Sequence, residues 1–539
     1  MRLVIVFFMF IGPIAIADMT DKERLEIVKK LSGTDRIYNP EAPIPAQCYT
    51  KTDGVNNPCF ICHQTYDASE QRPNVQNDGF FQGTYVFSDV GVSNSWQNLF
   101  VDRREKARAI TDEAIDAWID DDNYERFIKF VESDAWPGPE PVIRNLALGK
   151  QAFDKQGVAL DGSRWVAFNY KPMPSTFWPT NGATDDVMIR LPEAFSSIDG
   201  SYSRDVYFVN LGLLELAISD RAETTIPPVD EMVLRIDIDG NGELQPDVGR
   251  LLRRERYVGD ASETSLASML YPAGTQFVHT VRYVDLDEQG HARPSRRIKE
   301  VRYMNKVAFL SRSVLASSYY LEKKEKNFEK LPRVIDKGRN GLSNHRGWTI
   351  LGFIEDEHGE LRKQSREEQF FCVGCHKSIG STIDQTFSFP RKVAGADGWG
   401  YIDLTDITDV PNIGEEDGEY LTYMSRVGGG DEFRQNQEML DRWFDENGSV
   451  NRRVVEKAPH IAALISPSRA RARALNKSYL SVVREQSYIM GRDVVLSPAT
   501  NVFREIDEDI WPLKREHRFI WDIRLNWGAG AQLESHTGR

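Results

Sequence analysis

The sequence is poor in cysteine and histidine, with five Cys and nine His among 539 residues. An odd cysteine count does not fit a framework built only of disulfides. Basic side chains are also in deficit, 67 Lys and Arg against 81 Asp and Glu, for a formal charge of −14. That field repels phosphate backbones and anionic membrane surfaces, which excludes nucleic acid as a partner. There is no Gly-rich phosphate loop, no G-x-S-x-G elbow and no H-E-x-x-H, so hydrolase and nucleotide-dependent chemistries lack support. No apolar run reaches the roughly 20 residues that cross a bilayer, and no membrane span is expected in the mature protein. Apolar and aromatic residues are plentiful, with 27 Phe, 19 Tyr and 11 Trp. The chain therefore has the means to bury a core, and at roughly 100–200 residues per domain its length suggests several domains.

The N-terminus carries Arg2, an apolar run containing Pro13, and Ala15-Ile16-Ala17. This reads as a secretory signal peptide over 1–17, cut after Ala17, with no cysteine just beyond to accept a lipid. The expected location is periplasmic or secreted.

Cysteine spacing carries the strongest signal. Cys59-Phe60-Ile61-Cys62-His63 and Cys372-Val373-Gly374-Cys375-His376 are two copies of C-x-x-C-H, the attachment sequence of c-type haem. Two thiols one helical turn apart can add to the vinyl groups of one porphyrin edge, and the adjacent His can place an imidazole under the iron. Two covalently attached haems are expected, with His63 and His376 as proximal ligands. A zinc site made from both C-x-x-C pairs, or a thioredoxin-like dithiol, would compete for the same cysteines. Asn57-Pro58 and Ser365-Arg366-Glu367-Glu368 read as caps, so each motif is expected on a helix start.

On these motifs and the leader the chain resembles bacterial exported dihaem c-type cytochromes. The resemblance covers the two motifs and the signal peptide alone, and it implies covalent haem, export and redox chemistry. The function it implies is electron transfer, with a redox partner protein. The alternative is a haem-dependent, peroxidase-like oxidoreductase with one five-coordinate iron and a small-molecule substrate.

The expected fold class is α+β, with helical haem-bearing segments around a β-rich middle. The organisation expected after the leader is an N-terminal haem domain over 18–155, a β-rich domain over 156–330 and a C-terminal haem domain over 331–539. Helices are expected over 21–30, Arg103 to Ile119, Phe433 to Phe444, Ser468 to Leu475 and Ser478 to Met490. Strands are expected over Val187 to Leu191, Arg204 to Val209, Met232 to Ile238, Gln276 to Val284, Ile298 to Met304 and Gly347 to Ile354.

Distal iron ligands would have to come from Met or His. Met173 stands between Pro172 and Pro174 in a restricted loop, His279 alternates with apolar residues on a strand, and His345 lies shortly before the second motif. Cys48 is left over once four cysteines hold haem, and is read as an inert buried thiol, a dimerising thiol or a thiolate ligand. Asp237-Ile238-Asp239-Gly240-Asn241-Gly242 matches the first half of a calcium loop, with Asp237, Asp239 and Asn241 as oxygen donors and Asp247 in place of the missing closing carboxylate. A plain Asn-Gly hairpin turn would give the same pattern.

Overall fold

Alternation of apolar and polar residues is most sustained between residues 276 and 306, and there the chain forms its longest hairpin. In the computed structural model, which describes residues 43–66, 72–87, 91–326 and 334–528, that hairpin is the spine of the molecule. The expected leader over 1–17 and the helix expected over 21–30 lie outside the described residues.

The strands are β1 (Val166–Ala167), β2 (Thr184–Arg190), β3 (Ser197–Ile198), β4 (Ser201–Tyr202), β5 (Glu223–Val229), β6 (Val248–Leu252), β7 (Gln276–Leu286), β8 (Ala292–Lys306), β9 (Ile335–Asp336), β10 (Leu342–Ser343), β11 (Trp348–Glu355) and β12 (Leu361–Lys363). Eight of them make one sheet in the order β1-β2-β7-β8-β11-β10-β9, with β12 on β11. Every pair in it is antiparallel. The helices are α1 (Arg104–Arg108), α2 (Asp112–Asp120), α3 (Tyr124–Val131), α4 (Arg204–Ser219), α5 (Glu231–Leu234), α6 (Arg312–Lys326), α7 (Arg366–Cys375), α8 (Glu419–Val427), α9 (Gln437–Trp443), α10 (Arg452–Val455), α11 (Ile461–Ile465) and α12 (Arg469–Glu485). The fold is mixed α+β.

Several elements differ from the sequence expectation for identifiable reasons. Arg204 to Val209 is not a strand but the start of α4, because Ser203 caps the helix at Val206 N (3.3 Å) and the aromatic run Tyr207-Phe208 is buried on every side. A helix apolar all round has no amphipathic period to reveal it. Met232 to Ile238 is the short α5 followed by a loop. The helix expected from Arg103 to Ile119 is two, since Thr111 restarts it by accepting from Ala114 N at 3.1 Å. The pair expected over 468–490 is the single helix α12, followed by a 3₁₀ turn at Tyr488–Met490. Asn476, which looks like a break, instead exchanges hydrogen bonds with the Val284 main chain at 2.8 and 3.2 Å. The last of these expected helices, Phe433 to Phe444, is shortened to α9.

The chain is interleaved rather than laid out in sequence. The sheet crosses residue 330, with Trp348 of β11 opposite Lys306 of β8. Near the chain ends, Thr50 bridges to Val502 and Ser93 to Glu505. One continuous apolar core takes in Phe60 and Ile61 from the first C-x-x-C-H segment, Cys372 and Val373 from the second, and Met173, Trp178, Tyr423 and Trp521.

Candidate functional site: two C-x-x-C-H segments that meet

The first segment forms a single 3₁₀ turn, Pro58–Ile61, with Pro58 at its first position and His63 N bonded to Cys59 O at 3.1 Å. Asn57 does not cap it. Its side chain donates instead to Gln82 Oε1 (2.9 Å) and His517 O (2.7 Å), while Gln82 Nε2 donates to His63 O and Phe519 O, both at 2.9 Å. A turn this short cannot hold itself, and here it is pinned from residues near both ends of the described chain. Phe60 anchors it from below, edge-on to Trp521 and Phe519 at ring distances of 5.7 and 5.8 Å.

The second segment lies on a true helix. Ser365 and Glu368 form a capping box, Ser365 Oγ accepting from Glu368 N (3.2 Å) and Glu368 Oε2 from Ser365 N (2.7 Å). The cap is where it was expected, but Cys372 and Cys375 occupy the end of α7, not its start, and His376 is the residue that closes it. His376 Nδ1 sits 2.8 Å from Gln385 O, and Asn344 Nδ2 donates to His376 O at 2.9 Å.

Distant in sequence, the two segments meet in space. Ser381 N, just after the second, donates to Cys62 O at 3.1 Å. Asp78 joins both sides: its carboxylate accepts from Gln64 N (2.9 Å) and Gly380 N (3.1 Å) and lies 3.2 Å from His63 Nδ1. The His63 ring is not aimed squarely at that carboxylate, so their contact is electrostatic. Gly380 is required by this approach, since a Cβ there would overlap the Asp78 carboxylate. Asn74 Nδ2 adds contacts to Ile379 O (2.9 Å) and Thr382 Oγ1 (3.0 Å).

Cys62 lies within electrostatic range of Cys375 and Cys48. Burial pushes the Cys59 thiol up to about 11, Cys375 to about 12 and Cys62 well above its ordinary value. Yet Cys59, Cys62, Cys375 and His376 all keep partial accessibility. The thiols are held neutral, the reverse of a reactive dithiol, whose pKa is lowered. No cysteine belongs to a cluster of three or more ligand atoms within 4.8 Å among the described residues, so the competing zinc set is not assembled. Burial drives His376 down to about 4, which keeps its imidazole neutral.

The candidate distal residues are distributed unevenly. Met173 is buried in the shared core. His279 faces the second segment closely enough to interact with His376, but its Nε2 is engaged by Asp185 Oδ2 at 3.0 Å. Asp185 also lines an open cleft of about 750 Å3, which lies away from the cysteines. His345 is exposed in a left-handed conformation, φ 57°, although its neighbour Asn344 touches His376. Cys48 is half-buried in a 3₁₀ turn and, like the other four, is in no disulfide.

The acidic loop is a separate place. Asp237 accepts from Gly240 N (2.6 Å) and Gly242 N (2.8 Å), and Asp239 from Asn241 N (3.0 Å). These bonds hold the Asp237 carboxyl below its usual range. Glu231, Asp237 and Asp239 bring ligand oxygens within 4.8 Å of one another. Asp247 is not among these three carboxylates. The third carboxylate comes from the upstream helix α5, where sequence spacing gave no sign of it, because its partner lies across the fold of the loop and not along it.

A lipoprotein-family model matches residues 32–463. A protein of Aquifex aeolicus (strain VF5) described as an uncharacterized lipoprotein is 31% identical over 535 residues, covering 87% of this chain and 89% of the relative. This chain belongs to that lipoprotein family. No solved structure matches it. Membership overturns the functional class expected from the motifs. The family and the relative are described as lipoproteins, without haem or redox function, so neither the electron-transferring dihaem cytochrome nor its peroxidase-like alternative is retained. A lipoprotein family agrees with export. Among the described residues no helix is long and apolar enough to cross a membrane.

Proposed function

We propose that this lipoprotein-family member is an exported haem-holding protein whose two C-x-x-C-H segments attach two haems side by side in one enclosure. The observation that carries the reading is the treatment of the two imidazoles. His376 has Nδ1 turned to an acceptor, the Gln385 carbonyl, while His63 Nδ1 lies 3.2 Å from the Asp78 carboxylate without a hydrogen bond to it. An acceptor at Nδ1 assigns the proton to that nitrogen and leaves the Nε2 lone pair for a metal, the arrangement that second-shell partners impose on ligating histidines. Cys59 with Cys62, and Cys372 with Cys375, would supply the thioether links, and burial favours the neutral thiol at Cys59, Cys62 and Cys375. A haem bound there would supply an iron able to change oxidation state or take an added ligand. Met173 is the candidate distal donor that shares the core with both segments.

The test is the intact mass of the chain after export from a host that attaches c-type haem, measured under denaturing conditions. The expected mass exceeds the polypeptide by two haems. A polypeptide mass with all five thiols open to alkylation would end the reading.

We infer separately that Glu231, Asp237 and Asp239 bind calcium, favoured by three convergent carboxylates, the chemistry calcium selects. Calcium at about a hundred times its Kd would add roughly 2.7 kcal/mol of stability. Asp239→Ala is expected to abolish the calcium-dependent rise in Tm, and an equal rise in this variant would return the segment to a plain turn.

A further inference from the structure

Between Ile383 and Thr386 the chain reverses on two residues that both have left-handed backbones, Asp384 at φ 43° and Gln385 at φ 62°. Ile383 and Thr386 close the reversal with main-chain bonds of 3.1 and 3.0 Å. Positive φ at both central positions is what a type I′ turn demands, and Asn-Gly is the usual sequence there. Neither residue here is glycine, and a glutamine has no local reason to adopt that conformation. The surroundings must impose it.

They do so through Asp384. Lys306 Nζ, at the end of β8, bonds both carboxylate oxygens at 2.6 and 2.7 Å, and Tyr271 N donates to Oδ2 at 3.0 Å. Neither charged side chain reaches solvent. The Gln385 side chain is bonded to the Tyr319 hydroxyl. Held this way, the turn delivers the Gln385 carbonyl to His376 Nδ1.

We propose that the Lys306–Asp384 pair is the positioning device of the second segment, fixing the His376 ring by holding a strained turn in place. The proposal rests on the reading that His376 ligates a haem. Neither Lys306 nor Asp384 touches His376, so they are positioning residues. A buried ion pair with a structural role alone would change stability when neutralised without touching the iron.

The two roles separate in the reduction potentials. Loss of the acceptor at Nδ1 makes the imidazole a weaker donor and disfavours the ferric state. The double variant Lys306→Met/Asp384→Asn removes both charges together, so no unpaired charge is left in the interior. It is expected to keep two haems by mass and to raise one midpoint potential while the other stays at the wild-type value. With Gln385→Gly already in place the turn holds without outside support, and the same double variant is expected to shift neither potential. This second background also serves if the double variant alone folds poorly. Unchanged potentials in the folded double variant, or an equal shift with and without Gln385→Gly, would overturn the positioning role. Absence of haem from the wild-type mass would instead overturn the reading beneath it.

Discussion

The two C-x-x-C-H segments carry the same five-residue pattern and are built in opposite ways. The first is a 3₁₀ turn pinned by remote side chains, among them Gln82, and by carbonyls near residue 518. The second ends a helix that begins with its own capping box and rests on β10 and β11. Their imidazoles are supported differently too, by a buried carboxylate in one case and by a main-chain carbonyl in the other. The motif therefore specifies which atoms come together and leaves the scaffold free. It also follows that the first turn depends on long-range packing, while the helix of the second segment starts from a local cap.

The sharpest way to break this comparison is Phe60→Ala. Phe60 is 1% exposed under Trp521, Phe519 and Tyr423, and its loss should cost about 3–5 kcal/mol. Chemical denaturation would measure that cost. Hydrogen exchange should quicken around residues 59–64 well before α7 responds, and an equal response in both places would contradict the contrast. Asp78→Ala should cost about 2–3 kcal/mol, since it removes a charged acceptor from two buried amides. Unlike Phe60→Ala it should loosen both segments, read as faster exchange at Gln64 N and Gly380 N together.

Acid should act on the first segment's anchoring. Asp522 is strongly desolvated, but Arg524 and Arg72 outweigh that and hold it at about 2, against an ordinary 3.8. Arg72 also donates to Gln64 Oε1 at 3.2 Å, just after His63. With the folded pKa depressed, this stability is fully present above pH 3.8 and is lost as pH falls toward 2, about 2 kcal/mol in all. Asp522→Asn should flatten the acid limb of a stability–pH curve over that window, and an unaltered limb would show the pair to be inconsequential. The smallest effect is expected from Ser365→Ala, about 1 kcal/mol through the lost cap. Exchange in the first turn of α7 should rise while Tm hardly moves the first segment, as a probe on Phe60 would report.

Much of this arrangement could be read from the residues. The motifs, the capping box at Ser365, the α+β class and the strands around 276–306 follow from spacing and periodicity, which are local properties. What could not be read depends on the fold. Asp78 is an ordinary aspartate until Gly380 is brought against it, and Glu231 stands apart from Asp237 until α5 folds back. The helix α4 hid its nature because burial on all sides erases the helical period, and Arg302 and Glu300 of β8 gather with the distant Arg492 behind Cys372. The functional class was the largest miss, because a short attachment motif identifies a ligand chemistry and says little about the family that uses it.

The central claim is that the two segments share one enclosure that holds two haems. Circular dichroism across the Soret band of the exported chain tests it most directly, because chromophores attached at adjacent points couple and split the band. The account predicts a bisignate Soret signal that collapses to a single sign when Cys375→Ala and Cys372→Ala remove the second attachment. A single-signed band in the wild type, unaffected in shape by those substitutions, or no Soret band at all, would contradict it.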